Sequence, residues 1–454
     1  MPPQALILGR VVIETIVYLE TKGGGAMRAL AQTALPFKIE ATDALLTANA
    51  GLALFGELVH GLGLSRWLAQ EMPRPGSGGG YEAQAYVEPL VLMLAGGGRS
   101  LADLRMLKRG AALATALERD RLPSTDAVGD WLRRMGQMGG LEGLARVDER
   151  IVAMRIEQAG VTEPTLDADA SQIVAEKKSA HFTDKGSLGY LPMIGHLAEA
   201  DAIVHDEFRA GSVAPASDTL GLIEACEARL PPGHRIAHVR PDAAGYQAEV
   251  FDRCEDTGKR FAIGGRLDAA TRRASDDIPE SACQRYADCA VAETVHSMGG
   301  TKKALRLIVV KYLHQGELFD EQARYHVIAS NRVESAQQTL LWYRQRGAVS
   351  ENGIEELEIG FGMQRMPCGQ VEANAVFLRI GAIAHNLFVL FEHAALDAAW
   401  QRHTVASVRW RPFHLPGKLV RHAGAWVLKV AAERVDLFRS IRARSFAVAQ
   451  AMAP

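Results

Sequence analysis

The chain has 454 residues, 48% of them hydrophobic and 23% charged, with a formal net charge of -2. This excludes a disordered or low-complexity protein and supplies enough apolar material for two to three structural units. Cys226, Cys254, Cys283, Cys289 and Cys368 include no pair at zinc-ligand spacing, and they read as reduced thiols of a cytoplasmic protein.

In chain order, the run "ALILGRVVIETIVYLE" has the apolarity of a signal segment. Arg10 and Glu14 interrupt it, however, and no cationic stretch precedes it. The "KGGGAM" that follows points to a start near Met27, with residues 1–40 as an extension whose start is misassigned. Residues 41–160 carry helical periodicity, beginning with an apolar face of Leu45, Ala48, Leu52 and Phe55. "YVEPLVLMLAGG" and "SLADLRMLKRG" predict two further helices closed by glycine, with "MPRPGSGGGY" (72–81) a turn-rich loop. Ser124 or Thr125 is placed to cap a helix carrying Trp131 and Leu132.

At Thr165 the pattern changes to strands: "TLDADASQIVA", "GYLPMIGHLAE", "DAIVHDEFRAG", "HRIAHVRPDAA" and "KRFAIGGR". Helical "SDTLGLIEACEARLP" and "GYQAEVFDRCEDTG" separate the last three. The order implies an antiparallel meander followed by parallel additions, an α/β mixed sheet spanning 161–265. A β insertion (266–335) holds "CAVAETVHSM", "ALRLIVVKYL" and "RYHVIASN", and helices return over 336–395. The most apolar segment, 375–391, contains Arg379, His385 and Asn386 and predicts a buried helix, so no membrane span is expected. From Gln401 onward ten Lys and Arg face only Glu433 and Asp436, a surplus of eight positive charges. That 396–454 region reads as basic helices with either a polyanion partner or a solvated face.

Strand alternation puts Thr165, Asp167, Asp169 and Ser171 on one face. Two carboxylates about 7 Å apart on a half-buried sheet call for a positive neighbour. A divalent cation meets that need, as would a wet strand end or pairing with Lys177 or Lys178. Asp242 ends another strand, where α/β sheets place ligands, and is also suited to cap the following helix. A helix beginning near Ser350 aligns Glu351, Glu355 and Glu358, with Arg344, Arg346 and Arg365 nearby to pair with them or to bind phosphate. His196, His205 and His238 read as core residues, and Trp342 either stacks on a displaced base or packs beside Tyr343.

These segments together resemble the DDE transposases of bacterial insertion sequences, of the subgroup labelled thirteen-eighty, from about Thr42 to Val430. "LDADAS" is similar to the first-aspartate strand and "VRPDAAGY" to the second-aspartate motif. "YRQRGAVSENGIEELEIGFGMQRMPCG" resembles the Tyr–Arg–Glu signature, while "EANAVFLRIGAIAHNLF" and "GKLVRHAGAWVLKV" resemble the C-terminal helices. The resemblance implies a ribonuclease-H-like catalytic core with a β insertion, a helical DNA-end-binding domain over 41–160, and C-terminal helices. It implies that Asp169, Asp242 and Glu351 hold two Mg2+ or Mn2+ ions for DNA cleavage and strand transfer. Asp167 is then a supporting residue or the alternative ligand. Tyr343, Arg344, Arg346 and Arg365 would contact DNA. The partners implied are double-stranded DNA, as terminal inverted repeats and target, and a second copy of the chain, in a nucleoid-associated setting. Four residues rather than three separate Arg346 from Glu351, and Gly353, Glu355 and Glu358 stand where relatives carry Lys or Arg. Those departures keep two alternatives open: an impaired relic that binds element ends and inhibits active copies, and another ribonuclease-H-like nuclease without end recognition.

Overall fold

The computed structural model describes residues 14–18, 28–32, 39–76, 80–118, 122–287, 289–312, 324–401 and 403–451. The chain divides into two compact units, residues 1–44 and 45–454. In the first, Glu14–Tyr18 pairs antiparallel with Arg28–Gln32, so part of the signal-like run is a strand. The rest of that run, and the proposed start at Met27, lie outside the described residues.

The second unit opens with α1 (Ala50–Leu62), α2 (Gln84–Ala95), α3 (Thr125–Gln137) and α4 (Gly140–Ala159). Ser124 caps α3 as its sequence suggests, its side chain accepting from the Ala127 amide at 3.2 Å. Leu45 differs from expectation. Leu45–Thr47 is a short strand pairing near the C-terminus, and the helix starts only at Ala50.

The central sheet comprises β1 (Thr165–Ala170), β2 (Met193–Leu197), β3 (Ala202–Glu207), β4 (His238–Val239) and β5 (Arg260–Gly264). Helix α5 (Thr219–Ala228) precedes β4, and α6 (Ala248–Asp256) precedes β5. The insertion supplies β6 (Gln284–Tyr286), β7 (Cys289–His296), β8 (Leu305–Tyr312) and β9 (Arg324–Ser330). The strand order is β6-β7-β8-β9-β5-β4-β1-β2-β3. Strands β1, β2 and β3 form the antiparallel meander, and β4 and β5 add parallel beside β1. This is the ribonuclease-H-like arrangement. The insertion extends the same sheet through the antiparallel β5–β9 pair rather than folding apart.

After the sheet come α7 (Ala336–Glu355) and α8 (Val371–Ala395). Helix α8 is long and apolar enough to cross a membrane, but its apolar window is wholly buried. It packs on α2, α3, α4 and β3, and its polar residues are matched. Arg379 pairs with Asp206, while Asn386 bonds Asp148 at 2.9 Å and the Ile203 backbone at 2.9 and 2.8 Å. Burial of polar groups is tolerable only with such partners.

The C-terminal region corrects the all-helical expectation. "GKLVRHAGAWVLKV" forms an antiparallel hairpin, β10 (Gly417–His422) and β11 (Ala425–Lys429), before α9 (Val435–Ala451). Ala423 and Gly424 both take positive φ, the two-residue turn geometry that matches strand twist.

Candidate active site

Both aspartates of β1 share a face, but their surroundings differ. Asp167 is 1% exposed and takes the Arg240 fork, from Nε at 2.8 Å and Nη2 at 2.7 Å. The Ser350 hydroxyl also donates to it. Asp169, one pleat further toward the strand's end, is more open, and its Oδ2 forms an ion pair with Arg346 Nη2 at 2.8 Å. Burial pushes the Asp169 carboxyl up to about 6, with Asp242 and Glu351 adding to the rise and Arg346 opposing it.

Asp242 lies just beyond β4, which is parallel to β1, so the two strands end on the same side. Its side chain accepts from the Ala244 amide at 2.9 Å and caps the turn Ala243–Gly245, while α6 begins later, at Ala248. Capping and a position at the sheet's ligand-binding end are therefore compatible.

Glu351 comes from α7. That helix starts at a Ser335–Gln338 capping box, not near Ser350. Arg346 Nη1 donates to Glu351 Oε1 at 2.9 Å, so one guanidinium bridges Asp169 and Glu351. Burial works against the Arg346 charge, but Asp169, Tyr343, Asp242 and Glu351 more than offset it and raise its pKa. Tyr343 faces the same group: burial raises its pKa, with Asp242, Asp169 and Glu351 contributing. A Cβ on Gly264, at the end of β5, would stand 2.7 Å from Tyr343 Oη and 3.1 Å from the Ala243 amide. The glycine is what lets Tyr343 seat against the Asp242 turn.

Other expected residues fall elsewhere. Arg344 is exposed and faces His326, and Arg365 is exposed near Asp103. Trp342 neither stacks freely nor packs chiefly on Tyr343. It lies between the guanidinium carbons of Arg332 and Arg240, at 4.1 and 4.8 Å from its ring centre. Glu358, aligned with Glu351 and Glu355 by its spacing, lies in a π-turn at Glu356–Gly360 and stands near Asp169 and Glu355. Burial, then Asp169 and Glu355, push its carboxyl up to about 7. Three participants escaped sequence reasoning: Arg240 as the partner of Asp167, Ser350, and Gly264. A hint existed for Arg240, which stands two positions before Asp242.

Carboxylate oxygens are hard donors of the kind a divalent cation takes, and Asp169 and Glu351 here share a single guanidinium. Among the described residues no three His, Cys, Asp or Glu stand close enough to share an ion. Of the C-terminal cations, Arg442 pairs with Glu57 at 2.6 Å and Arg444 with Asp397 at 2.5 Å, while Arg409 is buried against backbone carbonyls. Lys418, Arg421 and Lys429 of the hairpin are exposed.

Among solved structures, a cryo-EM structure of piggyBac transposase synaptic complex with hairpin DNA is similar at 12% identity and a TM-score of 0.42. The match covers 88% of this chain and 80% of that one. No curated protein matches the chain in sequence. The family model for transposase DDE domain group 1 matches residues 33–445, nearly the whole sequence, and the chain belongs to that family.

Proposed function

We propose that this chain cuts DNA at the ends of an insertion sequence of the thirteen-eighty subgroup and joins them to a target, through Asp169, Asp242 and Glu351. The observation that carries this reading is the convergence of three acids, from β1, the end of β4 and α7, around Arg346 in a chain of the transposase DDE family. Those acids would hold two Mg2+ or Mn2+ ions. When bound, such ions supply an activated oxygen nucleophile and stabilise the leaving oxygen at phosphorus. Asp169 is favoured over Asp167 as the strand's ligand because Asp167 is already engaged by Arg240 and Ser350. Arg346 and Tyr343 would meet the transferred phosphate. Arg344, Arg365 and the hairpin cations Lys418, Arg421 and Lys429 would grip backbone phosphates of repeat and target. Two copies of the chain would hold paired ends, in the cytoplasm at the nucleoid.

The test is nicking of a duplex carrying the element's terminal inverted repeats, with Mg2+ and with chelator. Metal-dependent nicking at the repeat ends is expected, and binding without any cleavage overturns the reading. Glu358 favours a second reading, an end-binding inhibitor without catalysis, because it sets a fourth acid beside Asp169 where a cation would assist DNA. Its signature is end binding that Asp169→Ala leaves unchanged, with no nicking by the parent chain.

A further inference from the structure

Buried hydrogen bonds tie α7 to the sheet, and the proposed chemistry uses none of them. Ser350, 2% exposed, donates its hydroxyl to Asp167, which leaves its oxygen to accept from His196 Nδ1 at 2.9 Å. His196 is fully buried on β2 and lies directly opposite Asp167 in the antiparallel register. Its other nitrogen, Nε2, meets Asp201 Oδ1 at 2.9 Å, in the turn that leads into β3. On the far side of Asp167, Arg240 Nη1 donates to the Trp342 carbonyl at 2.7 Å. The stretch of α7 that carries Tyr343 and Arg346 is thus pinned at both ends, by Trp342 and by Ser350, with Glu351 next to the second pin.

Gly353 gives an independent sign of the same contact. A Cβ there would lie 2.7 Å from His196 Nε2 and 3.4 Å from Asp201 Oδ1. Glycine inside a helix is ordinarily a destabilising choice, and here the approach of the α7 backbone to the His196 ring requires it. The same contact leaves no room for a longer side chain at position 353.

We infer that His196, Asp201, Ser350 and Arg240, acting through Asp167, are positioning residues that fix the rotation and height of α7 over the central strand. They set where Arg346 and Glu351 stand relative to Asp169. Taking Glu351 as a functional carboxylate rests on the proposed function, whereas the clamp itself does not. Electrostatics explains the need for it. The acids repel one another, and an untied α7 would relieve that repulsion by lifting Glu351 away from β1.

Amide hydrogen exchange on the full chain, free of metal and DNA, reads the clamp without any activity. His196→Ala should speed exchange over residues 349–356 about tenfold, the scale of one lost buried hydrogen bond, with residues 338–342 unchanged. Ser350→Ala, which removes one hydroxyl, should act in the same direction. His196→Asn, which keeps a donor toward Ser350, should recover part of the protection. Wild-type exchange over 349–356 in both alanine variants overturns the inference, and if His196→Ala fails to fold, Ser350→Ala alone decides it. On terminal-repeat DNA, Ser350→Ala should slow nicking about tenfold while end affinity stays within about twofold. Equal losses of affinity and rate would also overturn it. A wild-type chain that binds ends but never nicks would instead sink the proposed function and leave the exchange result standing.

Discussion

Replacing each aspartate of β1 separately should give opposite effects on stability. Asp167 and Arg240 are 1% and 2% exposed, so screening by solvent is slight. Asp167→Ala leaves the guanidinium with the Trp342 carbonyl as its remaining hydrogen-bond acceptor and removes the acceptor of the Ser350 hydroxyl. Breaking a buried ion pair from one side costs about 3–5 kcal/mol, a large part of a typical fold's total. Asp169 behaves the other way. Its folded-state carboxyl is raised to about 6, chiefly by burial, so the folded state favours the protonated form. The resulting penalty is absent below about pH 4, grows as pH rises toward 6, and is full at pH 8. Two pKa units correspond to about 3 kcal/mol, an upper bound for a side chain still 25% exposed. Asp169→Asn should therefore raise the denaturation midpoint at pH 8, leave it unchanged at pH 4, and abolish nicking. Asp167→Ala should lower the midpoint at both pH values. Denaturant titrations of the metal-free chain, paired with nicking assays at low temperature, read both effects. An Asp167→Ala chain within about 1 kcal/mol of wild type would refute the reasoning. So would a folded Asp167→Ala chain that cannot nick while Asp169→Asn still can.

Glu392, buried on α8 and pushed up to about 8 by burial, costs stability as pH rises from about 4.5 to 8. Glu392→Gln should therefore raise the melting midpoint at pH 8 and not at pH 4.5, and a gain at both would contradict the assignment. Gly264→Ala places a methyl 2.7 Å from Tyr343 Oη, and overpacking of that kind costs about 1–3 kcal/mol. Nicking should fall further than stability, as judged by rate against melting curve. Replacing Lys418, Arg421 and Lys429 together with alanine should weaken duplex binding and reduce the slope of log affinity against log salt by about 2–3. An unchanged slope would remove the hairpin from the DNA path.

The order of strands and helices from Thr165 to Gly264 was legible because each strand is short, apolar and bounded by turn residues, so periodicity and punctuation agree. The ends of β1 and β4 were legible for the same reason, and with them Asp169 and Asp242. The β10–β11 hairpin was not. Trp426 and Val427 are both exposed there, which blurs the alternation, and the turn is marked only by Ala423–Gly424. The clamp on α7 was beyond sequence reasoning, because His196 and Ser350 stand 154 positions apart and meet only where α7 packs on the sheet. The π-turn at Glu356–Gly360 was not legible either, because so short a segment leaves no periodic signature of its own.

The need for a positive group near the acids of β1 follows from alternation and Coulomb's law alone, and two arginines of the chain meet it, one for each aspartate. Arg240 satisfies Asp167 inside the fold, with both partners buried and both carboxylate oxygens engaged. Arg346 satisfies Asp169 at the rim, where it is shared with Glu351 and where Asp242 and Glu358 add further negative charge. One guanidinium cannot neutralise four carboxyls, so the imbalance adds to the rise that burial chiefly causes at Asp169 and Glu358. The inner pair is complete and leaves nothing for a ligand to do. The outer group is short of positive charge, and that deficit distinguishes it from a buried salt bridge of the same residue types.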